Sequence, residues 1–208
     1  MVTMHCYFTA KNVSSVGTKN NCKTEYMRKL PRILDTQTVV KTRLFHVEQL
    51  DLEFSNGIVV QYERLRGSER GAVLIVPMLD TDTVLLIREY AAGVHRYELA
   101  LPKGRIEVDE EPIEAANREI MEEVGYAANT LRHITSLTVA PGYLSHTTHV
   151  ILAQDLYPCK AVGDEPEEIE VVPWKLSRLN ELLQCDDCTE ARSIAALFMV
   201  KELLKNDR

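Results

Sequence analysis

The sequence predicts an α/β protein, and three observations carry that expectation. Apolar residues recur at the strand period in stretches between Phe45 and Ile87. From Glu111 to Gly125 they recur at the period of a helix, with a proline at its start and a glycine at its end. Near the C-terminus Ile194, Leu197 and Val200 repeat the helical spacing. A chain of 208 residues has room for one domain with a sizeable core and a small appended element.

Residues 1–36 are expected to form a disordered leader, because Ala10 to Thr24 is mostly Lys, Asn, Ser, Thr and Gly. Met27 stands as an alternative start. Order is expected from about Thr38, in an antiparallel strand element over 37–71. There Phe45, Val47, Leu50, Leu52 and Phe54 mark one strand, Asn56-Gly57 a hairpin turn, and Val60 and Tyr62 the return strand. The main domain is expected over 72–205. Its first strand is the nearly continuous apolar run from Ala72 to Leu79, followed by a turn at Asp80–Thr83 and a strand at Val84–Ile87.

Charge and cysteine content narrow the function classes. The net charge is −7, from 31 acidic and 24 basic side chains, which argues against a nucleic-acid binder with a basic face. No apolar run approaches the roughly 20 residues of a membrane span, and no N-terminal h-region marks export. Five cysteines are read as free thiols in a reducing cytoplasm. The single pair Cys185 and Cys188 lacks the second pair or histidines of a zinc site and is read as a loop before the terminal helix. His146 and His149 would point to opposite faces of a strand, and Trp174 beside Pro173 suits the core or a strand edge.

Most chemistry is concentrated in Gly104–Tyr126, GRIEVDEEPIEAANREIMEEVGY. Ile113, Ala116, Ile120 and Val124 form an apolar stripe, and Glu119, Glu122 and Glu123 fall together beside it. Like charges three and four residues apart repel by a few tenths of a kcal/mol per pair, at about the scale measured on isolated helices. A hard divalent cation reverses that sign, because it takes carboxylate oxygens. Three glutamates alone more often form a solvated face, so the surrounding pattern decides.

That pattern resembles the Nudix box: Gly104, Glu110, Arg118, Glu119, Ile120, Glu122, Glu123 and Gly125 stand at its spacing, with Tyr126 in the final aliphatic slot. Seven polar or glycine identities at fixed spacing arise by chance less than about once in a million. The resemblance implies a Nudix fold, a mixed sheet in an α/β/α sandwich, and a metal-dependent pyrophosphohydrolase. It implies Mg²⁺ or Mn²⁺ as cofactor, with Glu119 and Glu123 as principal ligands and Glu122 as a further ligand or catalytic contact. The Lys103 carbonyl would join them, while Gly104, Glu110, Arg118 and Gly125 would shape and brace the box.

Outside the box, Tyr97–Gly104 and Pro141, in Ala140-Pro141-Gly142-Tyr143, resemble the ADP-ribose pyrophosphatase branch of the family. Within it, the type that splits ADP-ribose, NADH and diadenosine oligophosphates to release AMP is most similar. That likeness rests on LFHVEQLDLEFSNG, IREYAAG, REIMEEVGYAAN and AQDLYPCKAVGDEPE. It implies substrate contacts from Arg88, Arg96, Glu98, Pro141 and Tyr143, and a general base at Glu165 with Glu167 as an additional metal ligand. Many relatives carry an arginine directly after the strand aromatic, where Tyr90 is here followed by Ala91, so the phosphate clamp is open. The branch also implies a homodimer that exchanges its N-terminal element. Two other readings remain: a hydrolase for a different substrate, such as GDP-mannose or a capped RNA end, and a non-catalytic ADP-ribose or NAD-like ligand sensor.

Overall fold

The computed structural model describes residues 29–206, so the expectations for residues 1–28, including Met27 as a start, lie outside the described residues. Strands β1 (Arg32–Lys41), β2 (His46–Glu53) and β3 (Val59–Arg66) come first. They are followed by β4 (Ala72–Pro77), β5 (Thr83–Ala91), β6 (Arg96–Ala100) and β7 (Lys103–Arg105). Helix α1 (Pro112–Glu123) precedes β8 (Tyr126–Thr138), β9 (Leu144–Ser145), β10 (Thr147–Pro158) and β11 (Glu170–Lys175). A 3₁₀ turn (Leu176–Arg178) then leads into the short α2 (Leu179–Leu182) and the terminal α3 (Ala191–Asn206).

The centre is a mixed sheet in the order β7-β4-β10-β8, with β4 and β10 parallel and the outer pairs antiparallel. A second sheet, β11-β5-β6, is antiparallel throughout. Strand periodicity explains the layering. In β4, Leu74 and Val76 join Leu86, Val150 and Leu152 against Leu179, Leu182, Leu197 and Val200. Val73 and Ile75 face the other way, with Leu85, Ile87 and Ile151, against Ala116 and Ile120 of α1. Alternate residues therefore feed two cores, which is why the run at 72–79 reads as almost continuously apolar. The expected α/β/α sandwich is present, its sheet divided in two.

The turns follow their local chemistry. Gly57 takes a φ of +80° at the β2–β3 hairpin, where a side chain would be strained. Asp80 Oδ1 accepts the main-chain N–H groups of Asp82 at 2.8 Å and Thr83 at 2.7 Å, closing the turn into β5.

The N-terminal sheet runs β1-β2-β3-β9, and the parallel pairing of β3 with β9 ties it to the main domain. Its first strand corrects an expectation: β1 begins at Arg32, inside the segment read as a leader. Every β1 side chain is exposed, so the strand is held by main-chain pairing with β2 and carries no burial alternation to read. Phe45 is likewise exposed, and the buried positions on β2 go to Leu50 and to Glu48, which is paired with Arg64 and Arg66. Among the described residues no helix is long and apolar enough to cross a membrane.

Candidate active site

Helix α1 presents the acidic residues because its ends and its apolar stripe are both specified. Pro112 opens it, the Glu114 carboxylate accepts the Glu111 N–H at 2.9 Å, and Gly125 takes a φ of +78° just beyond its end. Ala116, Ile120 and Val124 are buried in the core and Ile113 packs against it. That orientation draws Glu119 and Glu123 down the flank of the helix until each is 8% exposed, while Glu122 stays half-buried.

Arg118 organises one side of this acidic group. Its guanidinium donates to both Glu110 oxygens, at 2.9 and 3.0 Å, to Glu119 Oε1 at 2.8 Å and to Glu122 Oε2 at 3.0 Å. A further bond, at 2.9 Å, reaches the Arg105 carbonyl. Glu110 is accordingly held below the usual carboxylate range by Arg118. Glu119 is pushed up instead, because burial outweighs the same arginine. Glu123 is pushed up to about 8 by burial, against the opposing charge of Lys103. The Lys103 N–H donates to Glu123 Oε2 at 3.0 Å, and its ammonium pairs with Glu89 at 2.6 Å.

Gly104 leaves no room for any other residue. A Cβ there would lie 1.9 Å from Glu119 Oε1, so the strand and the carboxylate touch only because the side chain is missing.

Opposite the helix runs the segment after β10. Its start is pinned to α1 by the Cys159 N–H to the Gly125 carbonyl and the Ala161 N–H to the Met121 carbonyl, both 3.0 Å. It forms the far wall of a cleft of about 540 Å³ that Glu119, Glu122 and Glu123 share with Gly163, Glu165 and Glu167. An adjoining cleft of about 510 Å³ joins the same three glutamates and Glu165 to Glu89, Lys103, Arg105 and Arg118. Glu165 is pushed up by burial and by the charges of Glu89 and Asp164.

Among the described residues, no group of three or more His, Cys, Asp or Glu side chains is gathered into a ready-made coordination cluster. Glu119 and Glu122 turn to Arg118, and Glu123 turns to the Lys103 N–H. The donor set nevertheless suits a hard divalent cation. Two buried carboxylates, both pushed above their ordinary range, sit side by side with less positive charge than they need.

Other residues singled out by sequence lie apart from this cleft or are already engaged. Arg88 donates to Glu170 at 2.8 Å and to Asp187 at 3.1 Å, locking β5 to β11 and to the segment before α3. Arg96 binds Glu98 and Thr189, and Glu98 is buried, accepting also from Thr189. Strand pairing brings Glu170 beside Arg88, while Asp187 and Thr189 reach the two arginines from the segment before α3. Pro141 and Tyr143 line a separate cleft with Leu50, Leu52 and Tyr62. Glu167 accepts from the Tyr97 hydroxyl at 2.7 Å. Cys185 and Cys188 are free, and Cys188 is buried at the approach to α3. Glu89, Arg105 and Asp164 line the 510 Å³ cleft without having been singled out, because a lone charge beside a strand pattern gives no signal of its own.

Comparison with known proteins agrees with this geometry. Residues 31–64 match the model of a NudE-type Nudix hydrolase N-terminal domain, and residues 68–198 match the NUDIX domain. The chain is 50% identical over 175 residues to the ADP compounds hydrolase NudE of Escherichia coli (strain K12), covering 84% of this chain and 94% of the relative. It is 29% identical over 181 residues to an ADP-ribose pyrophosphatase of Bacillus subtilis (strain 168), covering 83% and 97%. A crystal structure of an ADP compounds hydrolase superposes with a TM-score of 0.81 at 49% identity, over 86% of this chain and 97% of that one. With a NUDIX model over its main domain and a NudE-type model over its N-terminal sheet, the chain belongs to the Nudix hydrolase family.

Proposed function

We propose that this enzyme hydrolyses the diphosphate linkage of ADP-linked compounds, among them ADP-ribose, NADH and diadenosine oligophosphates, and releases AMP. The observation that carries the reading is the shared cleft in which Glu119, Glu122 and Glu123 of α1 face Glu165 across open space. The relatives named for ADP compounds and ADP-ribose support the substrate class.

In this reading Glu119 and Glu123 hold a divalent ion, Mg²⁺ or Mn²⁺, with help from Glu122 and the Lys103 main chain. When bound, such an ion polarises a phosphoryl oxygen, offsets the diphosphate charge and eases deprotonation of water. Arg118 orients Glu119 and Glu122, and Gly104 lets the box strand lie against Glu119. Glu165 accepts the proton of the attacking water, a role its raised proton affinity favours. Water adds to phosphorus, the anhydride oxygen leaves with the second phosphate, and AMP is one product. Glu167 hydrogen-bonds Tyr97 and steadies the loop that carries Glu165.

The oligomer in this reading is a homodimer built on the N-terminal sheet. Strand pairing aligns Ile33 with Leu52 and Leu52 with Val60, and Ile33 and Val60 stay 54% and 40% exposed. Tyr62 and Tyr143, at 45% and 58%, continue that apolar face beside Pro141. A second subunit that covers it would bring Pro141 and Tyr143 into a site formed by both chains.

A substrate panel tests the reading. ADP-ribose, NADH, diadenosine triphosphate, GDP-mannose and dATP are incubated with Mg²⁺ or Mn²⁺ and the products separated by chromatography. AMP from the first three, lost in Glu123→Gln, is the expected result. Turnover of GDP-mannose alone would move the specificity, and binding of ADP-ribose without cleavage would make the chain a sensor.

A further inference from the structure

The cations around the carboxylate clefts are nearly all spoken for. Lys103 is paired with Glu89, Lys160 with Glu168, and Arg118 with three glutamates. Arg105 is the exception: among the described residues its guanidinium has no ion-pair or hydrogen-bond partner. Its main chain is nonetheless fixed, since its carbonyl accepts from Arg118 and its strand pairs with β4 at Ala72. The residue before it, Gly104, touches the Glu119 carboxylate, and adjacent Cα atoms lie about 3.8 Å apart. Arg105 itself lines the 510 Å³ cleft together with Glu119, Glu122 and Glu123.

Arg105 also lines a second cleft, of about 350 Å³, where the N-terminal sheet meets the main domain. The other titratable residues lining it are Arg43, His46, Arg66 and His146, and no acidic side chain lines it. Arg66 is neutralised from behind by Glu48 and Glu69, and His46 bonds Thr38, whereas Arg43 has no ion-pair partner among the described residues. His146 is held below the usual imidazole range by burial and by the charges of Arg192 and Arg105. In a chain of net charge −7, Arg43 and Arg105 are thus two unpaired cations, among the described residues, in a cleft beside a wall of carboxylates.

We propose that Arg105 is a phosphate clamp, and that the Arg43–His146 cleft beyond it receives the additional phosphates of a polyphosphate chain. The inference rests on the proposed function for the identity of the substrate, and on the two clefts for the site. A phosphate seated in the carboxylate cleft would have Arg105 in its wall, and a longer chain would continue toward Arg43 and His146. Guanidinium groups bind phosphate oxygens in pairs, which favours a chain carrying several such groups over a single phosphate. The Arg43–His146 cleft therefore discriminates by phosphate number: it contributes little to a two-phosphate compound such as ADP-ribose and most to dinucleoside polyphosphates, whereas Arg105 serves both.

The test uses the full chain without divalent ion, so that no turnover occurs. Sodium tripolyphosphate and orthophosphate are titrated calorimetrically into the wild type, Arg105→Leu and Arg43→Leu. Thermal melts check that each variant is folded. Tripolyphosphate should bind the wild type at least about tenfold tighter than orthophosphate, and each variant should weaken it about tenfold. Equal affinity in all three proteins overturns the proposal. In turnover with metal, Arg43→Leu should lower the ratio of kcat/KM for diadenosine pentaphosphate to that for ADP-ribose about tenfold. An unchanged ratio with hydrolysis intact overturns the subsite and leaves the proposed function standing. Arginine-dependent binding with no adenylated compound cleaved does the reverse.

Discussion

In β4 every side chain from Val73 to Val76 is fully buried, whereas in β1 every side chain from Arg32 to Lys41 is exposed. Both strands carry aliphatic residues, and the two regions use them differently. The main domain fills two cores from alternate residues of the same strands, so its chemistry is presented by a rigid element packed on one chain. The N-terminal sheet keeps Ile33, Leu34, Val39, Val40, Val59 and Val60 open, the kind of apolar face that marks an interaction surface. Catalytic groups placed by the first region should respond to single atoms. Surfaces built by the second should respond to the loss of a partner.

The largest effect is expected where the first region holds the carboxylates. Glu123→Gln keeps the shape of the side chain and removes its charge, so the fold should survive. kcat for an adenylated substrate should fall by a factor on the order of a thousand. Steady-state kinetics with saturating Mg²⁺, alongside circular dichroism, reads both. A variant that retains more than a tenth of wild-type kcat would mean that the α1 carboxylates are not the reacting centre.

Gly104→Ala separates geometry from charge. The new methyl has to displace Glu119, since it would lie 1.9 Å from its oxygen. A shift on the order of 1 Å at such a group costs about a hundredfold in kcat/KM. Gly57→Ala is the contrasting change in the N-terminal sheet, where a Cβ meets nothing within 4 Å and only the φ of +80° is strained. That variant should lose about 1 kcal/mol of stability, in line with ordinary glycine replacements at positive φ, and leave kcat/KM within about twofold. Comparable losses of activity in the two variants would erase the contrast between the regions.

The same contrast explains what the sequence made legible. Helix α1 could be read from residue spacing, because its stripe, its proline, its terminal glycine and its acidic patch all point to one structure. The buried strands were legible as apolar runs, although nothing local to Val73 or Leu74 states which of the two cores each will join. Arg32 to Thr36 gave no strand signal, since a strand without a buried face has no period-two pattern to show. The engagement of Arg88 and Arg96 was illegible, because Asp187 and Thr189 lie 99 and 93 residues away in sequence and meet them only in the fold. Arg105 is illegible for the opposite reason: among the described residues its guanidinium has no partner, which no reading of neighbours in sequence can reveal.

A smaller but sharper effect is expected at the exposed face of the N-terminal sheet. Replacing Ile33 and Val60 together by Asp puts two charges on the row formed with Leu52. If that row is a subunit interface, sedimentation should show the dimer dissociation constant raised by tenfold or more, since burying an unpaired charge costs on the order of several kcal/mol. Both residues are exposed in the single chain, so its melting temperature at low protein concentration should hardly move. Unchanged sedimentation would place the interface elsewhere, and the apolar row would then need another occupant.

The smallest effect tests whether the strand arginines belong to the architecture or to the substrate. Arg88 joins Glu170 and Asp187 with its side chain 31% exposed and theirs 60% and 33% exposed. Such an open network contributes only about 1 kcal/mol, because water and salt screen it. Arg88→Met should therefore lower stability by about that amount, more so at low ionic strength, and leave KM for ADP-ribose within about twofold. Denaturant titration at two salt concentrations reads the first quantity and initial rates the second. A KM raised tenfold with stability intact would return Arg88 to the substrate. The guanidinium would then have to leave Glu170 and Asp187 on binding, and the separation drawn between the packed framework and the reacting cleft would fail on that strand.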